Sequence, residues 1–429
     1  DHERIKMKNM KKWILIFIGT ILVGGAFAQS LSLEEYRTQV LEYNQDLQKA
    51  QQSAEGALYS LKSIKTGFFP RVDVSGNYSW QFEEIDFLPG TPLKHDNYGV
   101  EAGIVQQIYT GGAVRKQHEV AKLQYAIAQL AVEHTTDNIV YAADVCYWTL
   151  VANQNLLRIA EEYVVLINEL YGIVNKRFEE GAISRTDLLM VQNRLKEAEL
   201  QQNTAMTNYR IALQSLNIMV GADPDREVFL SDTIRHTLQQ PQEQELDKAL
   251  EKRADYQVAV KNVEVAKMQT RMARSEFLPQ IVVGVKEKYG TQLLNVNGDR
   301  KWATTAYAQV NIPVFHWGKM RKEVQKGRSQ EEVRELERTQ LRDQVNKELS
   351  KAWVNMTETA NRLEIVRSSL EIAEDNLDLN TFSYNEGKLP ILDVLSAQAS
   401  WLQAYTNVVS VNYQYKVAIA EYMRVLGTR

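Results

Sequence analysis

The amino-acid sequence predicts an α+β membrane protein built by internal duplication, with four β-strands and several very long helices per chain. Three observations predict it: motifs that recur 206 residues apart, paired segments alternating between apolar and polar residues, and two helix-forming segments without proline, Ala113–Phe178 and Lys319–Phe382, each of more than 60 residues. A duplication of this length sets the architecture before any local reading does.

Arg177-Phe178-Glu179-Glu180-Gly181 and Asp187-Leu188-Leu189 return as Ser383-Tyr384-Asn385-Glu386-Gly387 and Asp393-Val394-Leu395. The same offset carries Gly112 onto Gly318, Arg115 onto Arg321, Asp137 onto Asp343, Gln192 onto Gln398, Tyr209 onto Tyr415 and Gly221 onto Gly427. Phe68-Phe69-Pro70 answers Phe277-Leu278-Pro279 at an offset of 209. The organisation this predicts is 1–28 as a signal peptide with upstream residues, 29–220 as a first structural repeat, 221–245 as a linker crossing the outside, and 246–429 as a second repeat.

At the N-terminus, Lys8, Lys11 and Lys12 precede an apolar run from Trp13 to Val23, and Ala26-Phe27-Ala28 offers small residues to a signal peptidase. Met7 to Ala28 therefore reads as a secretory signal. The 429 residues carry 50 basic and 54 acidic groups. Without residues 1–28 the chain keeps 45 basic and 52 acidic groups, a net of −7 that disfavours nucleic acid as a partner. Mean hydropathy is −0.37, low for a protein with helical membrane spans. Cys146 is the one cysteine, so no intrachain disulfide or thiolate metal cluster can form. The six histidines show no metal-ligand spacing, and HExxH, GxSxG and GxxxxGK are absent. No cofactor, metal or catalytic group is therefore expected, and an enzyme is the least favoured class.

Leu31 to Thr66 is rich in helix formers and stops at Pro70. Val72, Val74, Gly76, Tyr78, Trp80 and Phe82 then alternate with Asp73, Ser75, Asn77, Ser79 and Gln81, the period of a strand with one apolar and one wet face. After a loop at Pro89-Gly90-Thr91-Pro92, a second strand follows with Tyr98, Val100, Ala102, Ile104 and Ile108 on one side. Ala113 to Phe178 predicts one helix of about 95 Å, and Asp187 to Val220 a helix of about half that length. The second copy repeats the plan: a helix over 246–276, strands near Gln280–Tyr289 and Trp302–Val314, and helices over 319–382 and 391–425.

Four strands cannot close on themselves, and an open sheet edge is not tolerated in lipid. Closure must come from other copies, with two chains giving eight strands and three giving twelve. Trp80, Phe82, Phe87, Tyr98 and Trp302 fall toward the loop ends, and Phe68, Phe69, Tyr109, Phe277, Phe315 and Trp317 where strands meet helices. Two such girdles are expected at two lipid–water boundaries. Small and polar helix residues, among them Ala143, Asn153, Gln192, Thr359 and Gln398, suggest a helical wall with one face toward a water-filled tunnel. A secreted trimeric coiled-coil structural or adhesive protein is the alternative, weakened by the strands and by the lack of a sustained heptad.

With these signatures the chain resembles the TolC family of outer-membrane efflux channels. The two turn–helix signatures from Phe178 to Leu189 and from Tyr384 to Leu395 carry the resemblance. The strand entries at Pro70 and Pro279 and the exits at Gly112 and Gly318 add to it. The resemblance implies a homotrimeric twelve-stranded outer-membrane β-barrel continuing into a long periplasmic α-helical barrel in a Gram-negative bacterium. Its partners would be outer-membrane lipid, a periplasmic adaptor (membrane fusion protein) and an inner-membrane transporter. By position, Gly181, Ala182, Ile183, Ser184, Gly387, Lys388 and Leu389 become adaptor contacts. Asp187, Asp393 and Tyr384 become the periplasmic gate, with a Tyr384–Asp187 hydrogen bond across the tip. Both aspartates also suit helix N-capping. The family's second mouth carboxylate and basic latch residue are replaced here by Ser396 and Leu389.

Overall fold

The computed structural model describes residues 30–83, 85–234, 239–291 and 300–428, together with the backbone but not the side chains of Phe87, Leu88 and Thr91. The signal-peptide reading lies outside these residues. In order, the chain forms α1 (Leu33–Tyr43), α2 (Gln45–Lys65), a 3-10 turn (Thr66–Phe68), β1 (Arg71–Trp80), a small hairpin of β2 (Asp86–Leu88) and β3 (Thr91–Pro92), and β4 (Asp96–Thr110). Helices α3 (Ala113–Glu179) and α4 (Arg185–Met219) complete the first copy. The second copy comprises α5 (Leu246–Lys252), α6 (Ala254–Ser275), β5 (Gln280–Thr291), β6 (Arg300–Asn311), α7 (Lys319–Asn385) and α8 (Ile391–Leu426).

Helices α3 and α7 each run for 67 residues, about 100 Å of helix. The single helix expected over 31–66 is instead broken at Asn44, whose Oδ1 accepts from the backbone N–H of Asp46 and Leu47 and so starts a new helix. The expected helix over 246–276 is broken at Arg253, which lies 209 residues after Asn44. There the guanidinium holds Asp255 and Glu348 at 2.6 and 2.8 Å. Strand β6 ends at Asn311, three residues short of the expected Val314, because Pro313 cannot donate to a ladder.

The chain divides into two compact units, residues 44–141, 241–357 and 418–429 in one and 1–43, 142–240 and 358–417 in the other. The first unit holds an antiparallel four-stranded sheet in the order β1-β4-β5-β6. Register places Val72, Val74, Tyr78 and Trp80 on one face with Ile104, Val100 and Tyr98, and continues through Val283, Val285 and Tyr289 to Ala306 and Trp302. The opposite face is polar. The two edge strands, β1 and β6, each pair on one side only, and among the described residues their outer edges are unpaired. Exposed apolar side chains such as Val74, Tyr78 and Trp302 are costly in water and suit a lipid-facing barrel wall. Trp80 stacks on His95 and Tyr289 packs on Trp302 at one end of the strands. Phe315 and Trp317 meet edge-on beyond the other.

In the second unit, Tyr36, Tyr147, Trp148, Tyr163 and Ile167 are almost fully buried. The 221–245 segment starts here, and it is no mere outer strap. Leu31 pairs with Leu230 as a lone parallel bridge, Asp232 accepts from the Tyr147 hydroxyl at 2.7 Å, and Val228 and Ile234 are buried. Likewise Ala143, Thr359 and Gln398 are packed away from solvent, so these positions do not line a wet face. Among the described residues no helix is long and apolar enough to cross a membrane.

Candidate functional site at the helical hairpin tips

Each long helix reverses into the next through the same backbone device. Gly181 has φ 74°, its N–H donates to Phe178 O at 2.9 Å, and Ala182 N–H donates to Arg177 O at 2.8 Å. Gly387 repeats this with φ 74°, Gly387 N–H to Tyr384 O at 2.9 Å and Lys388 N–H to Ser383 O at 2.9 Å. This is the Schellman closure, in which a left-handed residue lets two late carbonyls find donors. Glycine adopts that conformation without a Cβ penalty.

Beneath the turns lies a shared apolar cluster. Tyr163, Ile167, Leu170 and Val174 of α3 and Leu188, Val191 and Ala198 of α4 pack with Tyr384 of α7 and Ile391, Val394 and Leu395 of α8. Phe178 and Ile183 pack against its edge. Burying each large aliphatic side chain is worth about 1.5–3 kcal/mol, so the cluster fixes both hairpins as one body within the protomer. Of the predicted adaptor residues, Gly181, Ala182, Ser184, Gly387 and Lys388 are exposed, whereas Ile183 and Leu389 are half-buried.

Asp187 and Asp393 are both half-buried, one turn into α4 and α8. The cap of α4, however, is Ser184. Its Oγ accepts from Asp187 N–H at 3.2 Å, while the Asp187 carboxylate accepts from Ser184 N–H at 3.3 Å and from Ser184 Oγ–H at 2.9 Å. That reciprocal box satisfies two orphan donors and places a carboxylate at the positive end of the helix. The Tyr384–Asp187 hydrogen bond expected from sequence does not form in the protomer. Asp187 is turned to Ser184, and the Tyr384 hydroxyl is buried with no hydrogen-bond partner among the described residues. Burial raises the pKa of this phenol above its ordinary value, the nearby Arg177 charge opposing and that of Asp187 reinforcing the shift.

The residue that joins the hairpins is Arg177, which the sequence reading used only as part of a motif. Its Nη1 donates to Tyr384 O at 3.3 Å and its Nη2 to Asn385 O at 3.1 Å, with the guanidinium 4.8 Å from the centre of the Tyr384 ring. Those carbonyls belong to the last turn of α7, which has no basic residue of its own. A cation there neutralises orphan carbonyls and the negative end of the helix dipole. The missed signal was an arginine in one tip with Ser383, a residue of no charge, at its counterpart.

A family model described as outer membrane efflux protein matches residues 37–222 and again 246–428, nearly the whole described chain in two successive copies. The chain belongs to the outer membrane efflux protein family. It is similar to the toluene efflux pump outer membrane protein TtgC of Pseudomonas putida, with 21% identity over 88% of this chain and 79% of that protein. It is similar also to the outer membrane protein TolC of Escherichia coli, with 19% identity over 98% of this chain and 87% of that protein. The outer membrane protein VceC of Vibrio cholerae has the same fold, with a TM-score of 0.77, 16% identity, and coverage of 92% of this chain and 96% of that one. As a member of this efflux family the chain is an outer-membrane channel with a periplasmic helical part. Its four strands are one third of a twelve-stranded barrel closed by three copies. The coiled-coil structural or adhesive alternative finds no support in these matches.

Proposed function

We propose that the two hairpin tips form the periplasmic mouth of the channel, with Asp187 and Asp393 as its charged constriction. The observation that carries this reading is the equivalence of the tips. Each holds its returning helix against one shared core and presents a half-buried aspartate six residues after the turn glycine. Threefold symmetry makes each aspartate a ring of three carboxylates, which raises the local cation concentration. Tyr384 belongs to the constriction through its ring, as the surface on which Arg177 rests, rather than through its hydroxyl.

The exposed turn residues Gly181, Ala182, Ser184, Gly387 and Lys388, with half-buried Ile183 and Leu389, form the surface offered to a periplasmic adaptor, which in turn connects the channel to an inner-membrane transporter. The channel passes its cargo without chemistry. The divisions 29–220, 221–245 and 246–429 serve as the two repeats and the segment between them.

Planar-bilayer recordings under a KCl gradient test the constriction. Asp187→Asn and Asp393→Asn are each expected to lower the preference for K⁺ over Cl⁻, and the double variant to lower it further. An ion preference identical to that of the parent protein in all three variants would sink the carboxylate-ring reading.

A further inference from the structure

The polar face of the sheet carries its charges in an unequal and ordered way. By register, β1 contributes Arg71 and Asp73 to that face, β4 contributes Glu101, β5 contributes Lys286 and Lys288, and β6 contributes Lys301. This is the face opposite the apolar one that meets lipid, so in the closed barrel it lines the lumen. Four basic groups stand against two acidic ones, a surplus of two positive charges per copy and six in the three-copy barrel.

The surplus is concentrated toward one end. Arg71 and Asp73 pair with each other at 2.6 Å near the strand entry. Glu101 stands opposite Lys288 in the register, yet its carboxylate binds the diagonal neighbour Lys286 at 3.4 Å. Lys288 instead lies across Gly99, its Cε 3.0 Å from the place a Cβ would occupy there. Lys301 pairs with Gly290, one step further along the strands. Successive same-face positions are about 7 Å apart, so Lys286, Lys288 and Lys301 climb about 14 Å toward the end of the sheet remote from the helices. Gly99, Gly103 and Gly290 face them and leave room for long side chains to lie along the wall. Past the strand ends, the connection from β1 to β4 carries Glu83, Glu84 and Asp86 against Lys94.

We propose that this lysine ladder is a second ion filter, of sign opposite to the periplasmic aspartates, which favours anionic solutes in the outer part of the barrel lumen. A low-dielectric wall focuses the field of such a ladder into the bore. The channel then has two selective stretches in series, and its net ion preference is the balance between them. The anions favoured are small carboxylates and inorganic anions, which an ammonium group recognises as a point charge without a shaped pocket. The proposal rests on the threefold barrel but not on the reading of the hairpin tips.

The test is the ratio of K⁺ to Cl⁻ permeability in planar bilayers at low salt. Lys288→Gln with Lys301→Gln, the loop charges left intact, is expected to raise that ratio at least about twofold. Lys301→Gln alone, at an exposed position, gives a smaller rise in the same direction. At about 1 M salt, where the screening length falls to about 3 Å, parent and variants conduct alike, which shows that the bore is intact. An unchanged ratio in both lysine variants, with the aspartate variants shifting it, overturns the basic filter and leaves the mouth reading standing. A lysine effect with no aspartate effect supports the filter and removes the mouth reading. A parent protein that forms no conducting pore overturns both.

Discussion

Gly181 and Gly387 turn their helices with the same φ of 74° and the same two backbone bonds, yet the chain leaves the two turns differently. After Gly181, Ser184 and Asp187 cap α4 reciprocally. After Gly387, Pro390 stands where Ser184 stood, and a proline needs no partner for a missing N–H. Before the turns the contrast is sharper. Arg177 reaches from the first tip to the carbonyls of the second, while Ser383 at its counterpart position is too short to reach back. The duplicated backbone is kept and its side chains have diverged, so that the first hairpin holds the second. A tip that opens therefore has one clamp to release rather than two.

The largest way to break the comparison lies at the other ends of the short helices. Gly221 and Gly427 close α4 and α8 as Gly181 and Gly387 close α3 and α7, with φ 69° and 66°. A Cβ on Gly221 would sit 2.3 Å from the Tyr43 ring, and one on Gly427 3.0 Å from Lys252 backbone, whereas Gly181 and Gly387 face open space. Gly221→Ala is expected to cost about 3 kcal/mol or more, since strain and overlap add. Gly181→Ala and Gly387→Ala are expected to cost only about 1 kcal/mol. Thermal denaturation of the detergent-solubilised trimer checks the order, and equal losses at all positions would show that conformation alone sets the cost.

Next in size is the clamp. Arg177→Ala removes two charge-assisted bonds and a cation–π contact, an expected loss of about 1–3 kcal/mol, and, on the proposed reading of the tips as the mouth, it should raise single-channel conductance. Arg177→Lys keeps the charge but not the fork and should fall between. Conductance unchanged in both variants would mean that the hairpins are held by the apolar cluster alone.

A further contrast between the copies concerns a buried cation. Lys416 is buried with its Nζ 3.9 Å from the centre of the Trp148 ring, whereas its first-copy counterpart Arg210 is exposed. Burial depresses the Lys416 pKa to about 8, with Asp232 opposing the shift. Between about pH 8 and 10.5 the unfolded chain then binds more protons than the folded one, so stability rises as pH climbs through that window. In Lys416→Met the rise in stability across that window is expected to disappear while that of the parent remains, as read by thermal denaturation at about pH 8 and about pH 10.5. A rise of equal size in both proteins would deny the buried charge its role.

Much of this was legible because the strongest signals are periodic and doubled. The 67-residue helices, the four strands and the glycine turns follow from absent prolines, period-two alternation and a constant offset. What stayed hidden rests on contacts distant in sequence. The breaks at Asn44 and Arg253 need a cap and an ion-pair network that no local pattern announces. The clamp joins residues 177 and 384, and the burial of Gln398 and Ala143 depends on which helix covers them. The lysine ladder required register, since Glu101 stands opposite Lys288 but binds Lys286.

The smallest expected effects separate the capping box from the tyrosine hydroxyl. Ser184→Ala should cost about 1 kcal/mol, the ordinary value of a lost helix cap, with no counterpart in the second tip, where Pro390→Ala takes no side-chain acceptor from the helix and adds one backbone N–H at an exposed position. Tyr384→Phe should do less still. The hydroxyl is buried without a partner among the described residues, so its removal relieves a desolvated polar group, and the ring that supports Arg177 is retained. Conductance should stay at the parent value, and stability should hold or rise by up to about 1 kcal/mol. A fall in stability together with a rise in conductance would show that the hydroxyl finds its partner on a neighbouring copy, and that the second tip has a clamp of its own formed only in the trimer.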